Sequence, residues 1–382
     1  NSQVAFMAPT EVLADQHFKS IQNQALKLNL NVAVLTGSTK EKERKIMLSQ
    51  LKKGEIDILI GTHALIEKRV EFRRLGLVII DEQHKFGVAQ RAKLWSKKRE
   101  FYPHVLVMTA TPIPRTLALT LYGDLDVSVI DELPSGRKEI ITSHRFDNSR
   151  LKVFNFIKKT IDFGGQVYVV YPLIEESAKK DHKDLMDGYK SLTKYFPETQ
   201  IGVLHGRMKS ENKEYEMKRF AEGKSKILVS TTVIEVGVDV ANASVIIIES
   251  AERFGLSQLH QLRGRVGRGS AQSYCILMTK YDLSNDSKER IKAMVGSSDG
   301  FKIANVDLKM RGPGNMMGTK QSGLLELRFV NLAEDYNIIK QTRVEASKLI
   351  ENDPNLSDKK NKGTKEYLKK SIKSNINWSR VS

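Results

Sequence analysis

A single cysteine, Cys275, stands in 382 residues, so no internal disulfide can form and no cysteine-based zinc site can be built. That scarcity suits a reducing cytoplasm. Long apolar runs are missing too. None approaches the ~20 residues that a membrane helix needs, which predicts a chain without a membrane span. The opening "NSQVAFMAPTEVLADQH" has neither the basic nor the apolar region of a secretion signal. Acids are in deficit: Lys+Arg number 62 and Asp+Glu 45, a formal charge of +17. That balance reads as a lysine-rich soluble surface or, more sharply, as a chain that meets a polyanion such as nucleic acid.

A phosphate-cradling loop is also missing. The nucleotide pattern is G-x-x-x-x-G-K-[ST]. The only GK[ST] tripeptide, Gly223-Lys224-Ser225, has Lys218 where the pattern requires Gly. It also follows a helical stretch and precedes the strand-like "KILVS". A phosphate loop does the reverse, so this tripeptide reads as a plain helix–strand turn.

What is present begins with a rhythm. The length predicts two or three domains. Short apolar runs alternate with helical patterns up to about residue 130: "VAFMAP", "NVAVLTG", "IDILIGT", "LGLVIIDE" and "HVLVMTAT". Such alternation predicts a parallel sheet covered on both faces. "DELPSGRKEI" (131–140) reads as a linker. A second set follows: "GQVYVVYP", "QIGVLHG", "KILVSTT", "ASVIIIES" and "SYCILMT". The two sets share a strand rhythm but do not align as a sequence repeat. Beyond 281 strand signals stop and a polar helical region follows, interrupted by "RGPGNMMGTKQSG". "IANVDLKM" (303–310) has helical spacing, and "RGPG" should stop that helix sharply. The last 25 residues hold eight Lys/Arg against two Asp/Glu and predict a helix with a loose tail.

Two stretches carry chemistry. In "GLVIIDEQHKFG" (76–87) an apolar run ends in Asp81 and Glu82. Ligands of open parallel sheets sit at the carboxyl ends of strands. An acid there can hold Mg²⁺ through its water shell, and its neighbour can accept a proton from an attacking water. A solvated turn would also place two acids after a strand, but Gln83 and His84 directly behind them favour the functional reading. In "QLRGRVGRG" (261–269), Arg263, Arg265 and Arg268 are interleaved with Gly264, Gly267 and Gly269. Glycine lets the backbone approach closely and frees the arginines for one target. Guanidinium forks suit phosphate oxygens. A basic turn on a nucleic-acid backbone is the plainer alternative.

These stretches, with others in order, resemble the superfamily-two helicases. "MAPTEVLADQH" (7–17) and "GTHALI" (61–66) resemble the first DNA-backbone motifs, and "DEQH" the acidic nucleotide box. "MTATPIPRT" (108–116) resembles the coupling motif. "LHGRM" (204–208), "STTVIEVGVDV" (230–240) and "QLRGRVGR" resemble the motifs of the second motor. Within the superfamily the chain is most similar to the RecG-like helicases. "GFKIANVDLKMRGPGNMMGTKQSG" (300–323) resembles the translocation motif that they share with transcription-repair coupling factors. Asn315 stands where Glu is usual and Lys85 where Arg is usual. PriA-type relatives carry zinc-binding cysteines that this sequence lacks.

The resemblance implies an α/β fold of two RecA-like motor domains, 1–135 (truncated at its start) and 141–280, plus a helical region, 281–382, with a translocation hairpin. It implies ATP and Mg²⁺ as cofactors. Asp81 would hold the metal and Glu82 would activate water, with Gln83 and His84 completing the box. Arg265 and Arg268 would meet the γ-phosphate, and Gly237, Asp239 and Gln261 would line the nucleotide cleft. Pro9, Thr10, Thr62, His63, His205, Gly206 and Thr231 would touch the DNA backbone. Thr109 and Thr111 would couple hydrolysis to DNA, and Arg311 and Gln321 would serve translocation. The implied partner is branched DNA, as forks or Holliday-type junctions, handled by a cytoplasmic monomer that also meets single-strand-binding protein. In RecG-like helicases the phosphate loop and a wedge domain lie upstream of the first motif matched here. The sequence is therefore expected to be a C-terminal piece, inactive by itself. The alternatives are a non-catalytic nucleic-acid-binding fragment or a related repair translocase.

Overall fold

The structure is a computed structural model that describes residues 2–83, 86, 103–112, 126–130, 132, 134, 136–172, 178–231, 240–311 and 335–374. The first five apolar runs form β1 (Gln3–Met7), β2 (Val32–Leu35), β3 (Ile58–Gly61), β4 (Leu75–Ile80) and β5 (His104–Val107). They lie in one parallel sheet of order β2-β3-β1-β4-β5. Helix α1 (Glu11–Lys27) crosses from β1 to β2, and α2 (Glu41–Lys53) crosses from β2 to β3. The apolar residues of α1 recur at helical spacing. Leu13, Ala14, Phe18 and Ile21 pack on Phe6, Ile58, Ile60 and Ile79 of one sheet face. Leu35, Leu51, Leu59, Leu65, Val78 and Ile80 belong to a separate core cluster. Both faces are therefore buried, which explains why these strands read as continuous apolar runs.

The second set forms a six-stranded parallel sheet of order β6-β11-β10-β7-β9-β8. Its strands are β6 (Ile141–Phe146), β7 (Gln166–Val170), β8 (Ile201–Leu204), β9 (Ile227–Ser230), β10 (Ala243–Ile248) and β11 (Tyr274–Thr279). Helices α3 (Arg150–Asp162), α4 (Ala178–Tyr195), α5 (Ser210–Ala221), α6 (Leu256–Arg263) and α7 (Asn285–Gly296) accompany it. Strand β6, "ITSHRF", has no counterpart among the apolar runs of the sequence. It is an edge strand, partly exposed along its length, so it needs no continuous apolar run. α8 (Gly300–Arg311), α9 (Tyr336–Asn352) and α10 (Lys362–Ser374) follow. The expected helix over 303–310 is thus present and ends at Arg311. The glycine-rich stretch after it lies outside the described residues.

By compactness the chain divides into two units: residues 1–111 with 134–298, and residues 112–133 with 299–382. The first unit holds both sheets and α7. In the second, Asp299 opens α8 by accepting from the N–H groups of Phe301 (2.8 Å) and Lys302 (3.4 Å). Asp353 closes α9 by accepting from the N–H groups of Ser357 (2.8 Å) and Asp358 (2.9 Å) and from the Asn361 amide (2.8 Å). Those bonds hold its carboxyl below the usual carboxylate range, the Ser357 bond most strongly.

The structure corrects one expectation. β2–α2–β3 and β8–α5–β9 match residue for residue without a gap. Leu35, Leu51, Gly54, Gly61 and Thr62 correspond to Leu204, Phe220, Gly223, Ser230 and Thr231. Gly54 and Gly223 both end their helices in the left-handed region, at φ 81° and 72°, where a side chain is strained. The central strands match as well. Gln3 begins β1, and its buried amide donates to Leu51 O (3.0 Å) and Ile56 O (2.7 Å). Gln166 begins β7 and donates to Phe220 O (2.6 Å) and Ser225 O (2.8 Å). The repeat was hidden because few identities are needed to preserve it: any apolar residue fills a strand, and only the turn glycines and the glutamines are chemically specific.

Candidate functional site

In the first sheet the expected site residues gather at the carboxyl ends of neighbouring strands. Backbone bonds join those ends. Ala8 N–H donates to Gly61 O (2.8 Å), Asp81 N–H to Met7 O (2.9 Å), Met108 N–H to Ile80 O (2.8 Å) and Gln83 N–H to Met108 O (3.1 Å). Pro9 and Thr10 leave β1, and Thr10 caps α1 by accepting from Leu13 N–H at 3.3 Å. Thr62 and His63 leave β3. His63 is exposed, whereas Thr62 is buried with its hydroxyl unpartnered. Asp81, Glu82 and Gln83 leave β4, and Thr109 and Thr111 follow β5. These are the strand ends at which ligands of open parallel sheets sit.

The acidic turn is fixed from several sides. Asp81 Oδ1 accepts from Glu82 N–H at 2.9 Å, and Asp81 Oδ2 lies 2.9 Å from His17 Nε2 on α1. Glu82 sits at φ 48°, a costly place for a residue with a side chain. Its Oε2 accepts from Ala110 N–H at 3.3 Å, which joins the acidic turn to the turn after β5. Thr111 N–H donates to Thr109 Oγ1 at 3.1 Å. Gln83 is buried. His84 lies outside the described residues.

In the second sheet, His205 and Gly206 leave β8 and Thr231 leaves β9. Thr231 N–H donates to Leu204 O (3.2 Å), as Thr62 N–H does to Leu35 O (3.3 Å) in the first sheet. Both threonine hydroxyls are buried and have no partner among the described residues. Gly206 O accepts from Lys213 Nζ at 2.9 Å. Gly237 and Asp239 lie outside the described residues. At the end of β10, buried Glu249 is gripped by Arg150 through two bonds of 2.7 and 2.9 Å. Burial works against the Arg150 charge, but the bond and the charge of Glu249 outweigh it, so its pKa is raised. Burial also pushes the neighbouring Tyr171 phenol well above its ordinary range.

The arginine-rich turn follows α6, and Gln261 Nε2 donates to Thr111 Oγ1, bringing the turn after β5 to the second sheet's helix. Gly267 takes φ 79°, and a Cβ there would meet Ile140 at 2.9 Å. Its carbonyl accepts from Arg137 Nε at 2.7 Å. At that position glycine is required by the fold itself, through its left-handed backbone and the closeness of Ile140. Arg263 departs from the expectation of three arginines with one target. It is buried and spends its donors on Met294 O (3.1 Å), Ser297 O (2.7 Å), Ser298 O (3.0 Å) and His260 Nδ1 (3.1 Å). Burial lowers its pKa. It closes the end of α7 and cannot serve phosphate. Arg265 and Arg268 remain as the pair for that role. Arg311 is the last residue of α8, and Gln321 lies outside the described residues.

The donor set suits a metal that arrives on a nucleotide. Among the described residues no group of three His, Cys, Asp or Glu could hold an ion by itself. Mg²⁺ bound through one or two carboxylates plus phosphates needs no such cage. Two features escaped the sequence reading. His17 was legible only as the histidine on the otherwise apolar face of "LADQHF". The turn Thr36–Thr39 stands in the first sheet where His205–Met208 stands in the second, with matching backbone bonds of 3.4 and 3.1 Å. The internal alignment was its only signal.

Comparison with known proteins agrees with this layout. Family models for the DEAD/DEAH box helicase, the helicase conserved C-terminal domain and the C-terminal part of domain 3 of ATP-dependent DNA helicase RecG match residues 1–120, 151–270 and 297–382. ATP-dependent DNA helicase RecG of Synechocystis is 55% identical over 93% of this chain and 42% of its own length. That of Bacillus subtilis is 49% identical over 92% of this chain and 51% of its own length. The chain thus spans about half the length of such relatives. A structure of RecG bound to a three-way DNA junction, 47% identical, matches with a TM-score of 0.69 over 83% of this chain and 41% of that one. S. cerevisiae Dbp5 bound to RNA and ADP BeF3 matches at 0.57 over 78% of this chain and 76% of that one, with 16% identity, which is likeness of fold alone. No described helix is long and apolar enough to cross a membrane.

Proposed function

The chain belongs to the RecG family of ATP-dependent DNA helicases, and from that premise we propose that it forms the paired motors of an ATP-driven translocase on branched DNA. The motors are assigned to residues 1–135 and 141–280, and the translocation element to 281–382. The observation that carries the reading is the meeting of Thr111, beside the acidic turn, with Gln261, beside the arginine turn. It supports a nucleotide cleft with carboxylates on one wall and guanidinium groups on the other.

Asp81 would hold nucleotide-borne Mg²⁺, which when bound supplies positive charge to the phosphates. Glu82 is assigned to accept the proton of the attacking water, and Gln83 and His84 to its alignment. Arg265 and Arg268 would stabilise charge on the γ-phosphate as fingers from the second motor. Gln261, Gly237 and Asp239 are assigned to the cleft wall, and Thr109 and Thr111 to its coupling with DNA. Pro9, Thr10, His63, His205 and Gly206 lie at strand ends suited to a phosphate backbone, to which the Thr36–Thr39 turn is added by its match with His205–Met208. Such contacts position without reading sequence. Thr62 and Thr231, with buried hydroxyls, are assigned to shaping those strand ends. Arg311 and Gln321 would carry motion to the duplex. Forks and Holliday-type junctions are the assigned substrates of a cytoplasmic monomer, with single-strand-binding protein as a further partner.

The test is the complete gene product, assayed for ATP hydrolysis with and without forked DNA and for strand separation at the fork. Hydrolysis stimulated by forks together with separation supports the reading. Tight DNA binding without stimulated hydrolysis overturns it in favour of a non-catalytic binding protein. The 382-residue polypeptide alone, which has no phosphate loop, is expected to stay below the ordinary enzyme range of about 1–10³ s⁻¹. It should still bind DNA weakly, with affinity that falls as salt rises.

A further inference from the structure

His17 has no part in the chemistry assigned above, yet it touches the acid at the centre of it. Its Nε2 lies 2.9 Å from Asp81 Oδ2, and both side chains are mostly buried, 26% and 19% exposed. A carboxylate only accepts, so the ring nitrogen carries the proton and donates. The other carboxylate oxygen accepts from Glu82 N–H at 2.9 Å. Asp81 is therefore held through both oxygens, and its rotation about the side-chain bonds is blocked. The histidine is itself held in place. It lies on the sheet-facing side of α1, one turn from Ala14 and next to Phe18, and its ring rests on Phe6 with 4.5 Å between centroids. On such a face a leucine would bury more apolar surface. A polar ring seated there, with its donor on the Asp81 carboxylate, is doing something that packing alone does not require.

We propose that His17 is a positioning residue that fixes the Asp81 carboxylate for nucleotide-borne Mg²⁺. The inference rests on the ATP-motor reading and deepens it. Groups that orient a metal-holding carboxylate act through it. Their loss typically costs about 10–100-fold in metal affinity or activity. The backbone around Asp81 supports the same view: Glu82 is kept in the left-handed region, and the N–H groups of Asp81 and Gln83 are tied to Met7 O and Met108 O. The turn is rigid on its backbone side, and His17 makes its key side chain rigid as well.

The test uses the complete protein that contains this chain, with Mn²⁺ as the spectroscopic probe and a non-hydrolysable ATP analogue. Electron paramagnetic resonance reads the Mn²⁺ Kd, metal-free nucleotide binding is measured beside it, and Tm reports folding. His17→Ala is expected to raise the Mn²⁺ Kd about 10–100-fold with metal-free nucleotide binding and Tm unchanged. His17→Gln, whose amide N–H can donate as the ring does, is expected to restore metal affinity. An unchanged Mn²⁺ Kd in His17→Ala overturns the proposal. So does failure of His17→Gln to restore it, above all with a lowered Tm, because the ring would then matter only as packing on Phe6. If the wild-type protein neither binds Mn²⁺ with the nucleotide nor hydrolyses ATP, the motor reading itself falls. That outcome is distinct from an active wild type indifferent to His17→Ala.

Discussion

The two sheets are built on one plan and use one position differently. After the matching strands β4 and β10 stand Asp81 and Glu249, each with its N–H on the neighbouring central strand, at 2.9 Å to Met7 O and 2.8 Å to Val170 O. Asp81 is braced by His17 and by its own turn, which leaves carboxylate lone pairs available for a metal's waters. Glu249 also accepts two bonds, but both come from the Arg150 guanidinium and its side chain is only 7% exposed, so its charge is matched and it is closed off from solvent. The same location at a strand end is therefore assigned as a workplace in one sheet and built as a rivet in the other. The arginines repeat the contrast within one short stretch: Arg263, two residues before Arg265, spends three bonds on carbonyls at the end of α7 and one on His260. What separates the members of each pair is whether the fold has already matched the side chain's charge or buried its donors.

The sharpest way to break that comparison is Arg268→Ala against Arg263→Ala in the complete protein. Arg268→Ala is expected to cost on the order of 10³-fold or more in kcat, with ATP affinity far less affected and Tm kept. Arg263→Ala should lower Tm through orphaned carbonyls at the end of α7. Steady-state kinetics and calorimetry read both. A collapse of ATP affinity with kcat intact for Arg268→Ala would remove it from the transition state.

Next in size is Glu249→Gln. Removing one charge from the Arg150 pair should cost roughly 1–3 kcal/mol, at the low end because a third of Arg150 is exposed to solvent, which screens the pair. DNA-stimulated turnover per folded molecule should not change. Denaturant melts together with the ATPase assay would show it, and loss of turnover without loss of stability would mean that Glu249 is a workplace too.

Effects of similar size, but symmetric, should come from Gln3→Ala and Gln166→Ala. Each removes an amide that serves two buried carbonyls at matching places, so each should cost about 1–3 kcal/mol. Unequal losses, read from urea midpoints, would mean that the two sheets share geometry without sharing energetics.

The smallest effect concerns Cys275 of β11, which stands where Val105 stands in β5: Cys275 pairs with Ile246, and Val105 with Val78. Burial pushes its thiol up to about 12. A thiol raised above its unfolded value of about 8.5 stays neutral in the fold. Its contribution to stability is complete below pH ~8.5 and declines as pH rises from there toward 12. At pH 8 iodoacetamide should label it only at the rate of global unfolding. Prompt labelling of the native protein would contradict its placement as core.

Much of this was legible in the sequence because the residues concerned are specified locally. Ten of the eleven strands are apolar runs that only a twice-covered parallel sheet explains, and the helix over 303–310 follows from its own spacing and its stop. Edge strand β6 was not legible, because a strand covered on one side can be polar. The acidic and arginine turns were legible as neighbours in sequence. Their partners were not: nothing in "LADQHF" points to Asp81, and nothing in "QLRGRVGR" separates buried Arg263 from Arg265 and Arg268.

By itself the sequence determined the two α/β layers, the family resemblance and the strand ends where function gathers. Those follow from periodicity and from short motifs, which need no knowledge of distant contacts. Only the tertiary structure decided which side chains are already spent, and that the two sheets repeat one another down to the bonds of Gln3 and Gln166. A hydrogen bond across the fold, such as His17 to Asp81, is set by the packing of a helix on a sheet. The chain order of the two residues carries no trace of that distance.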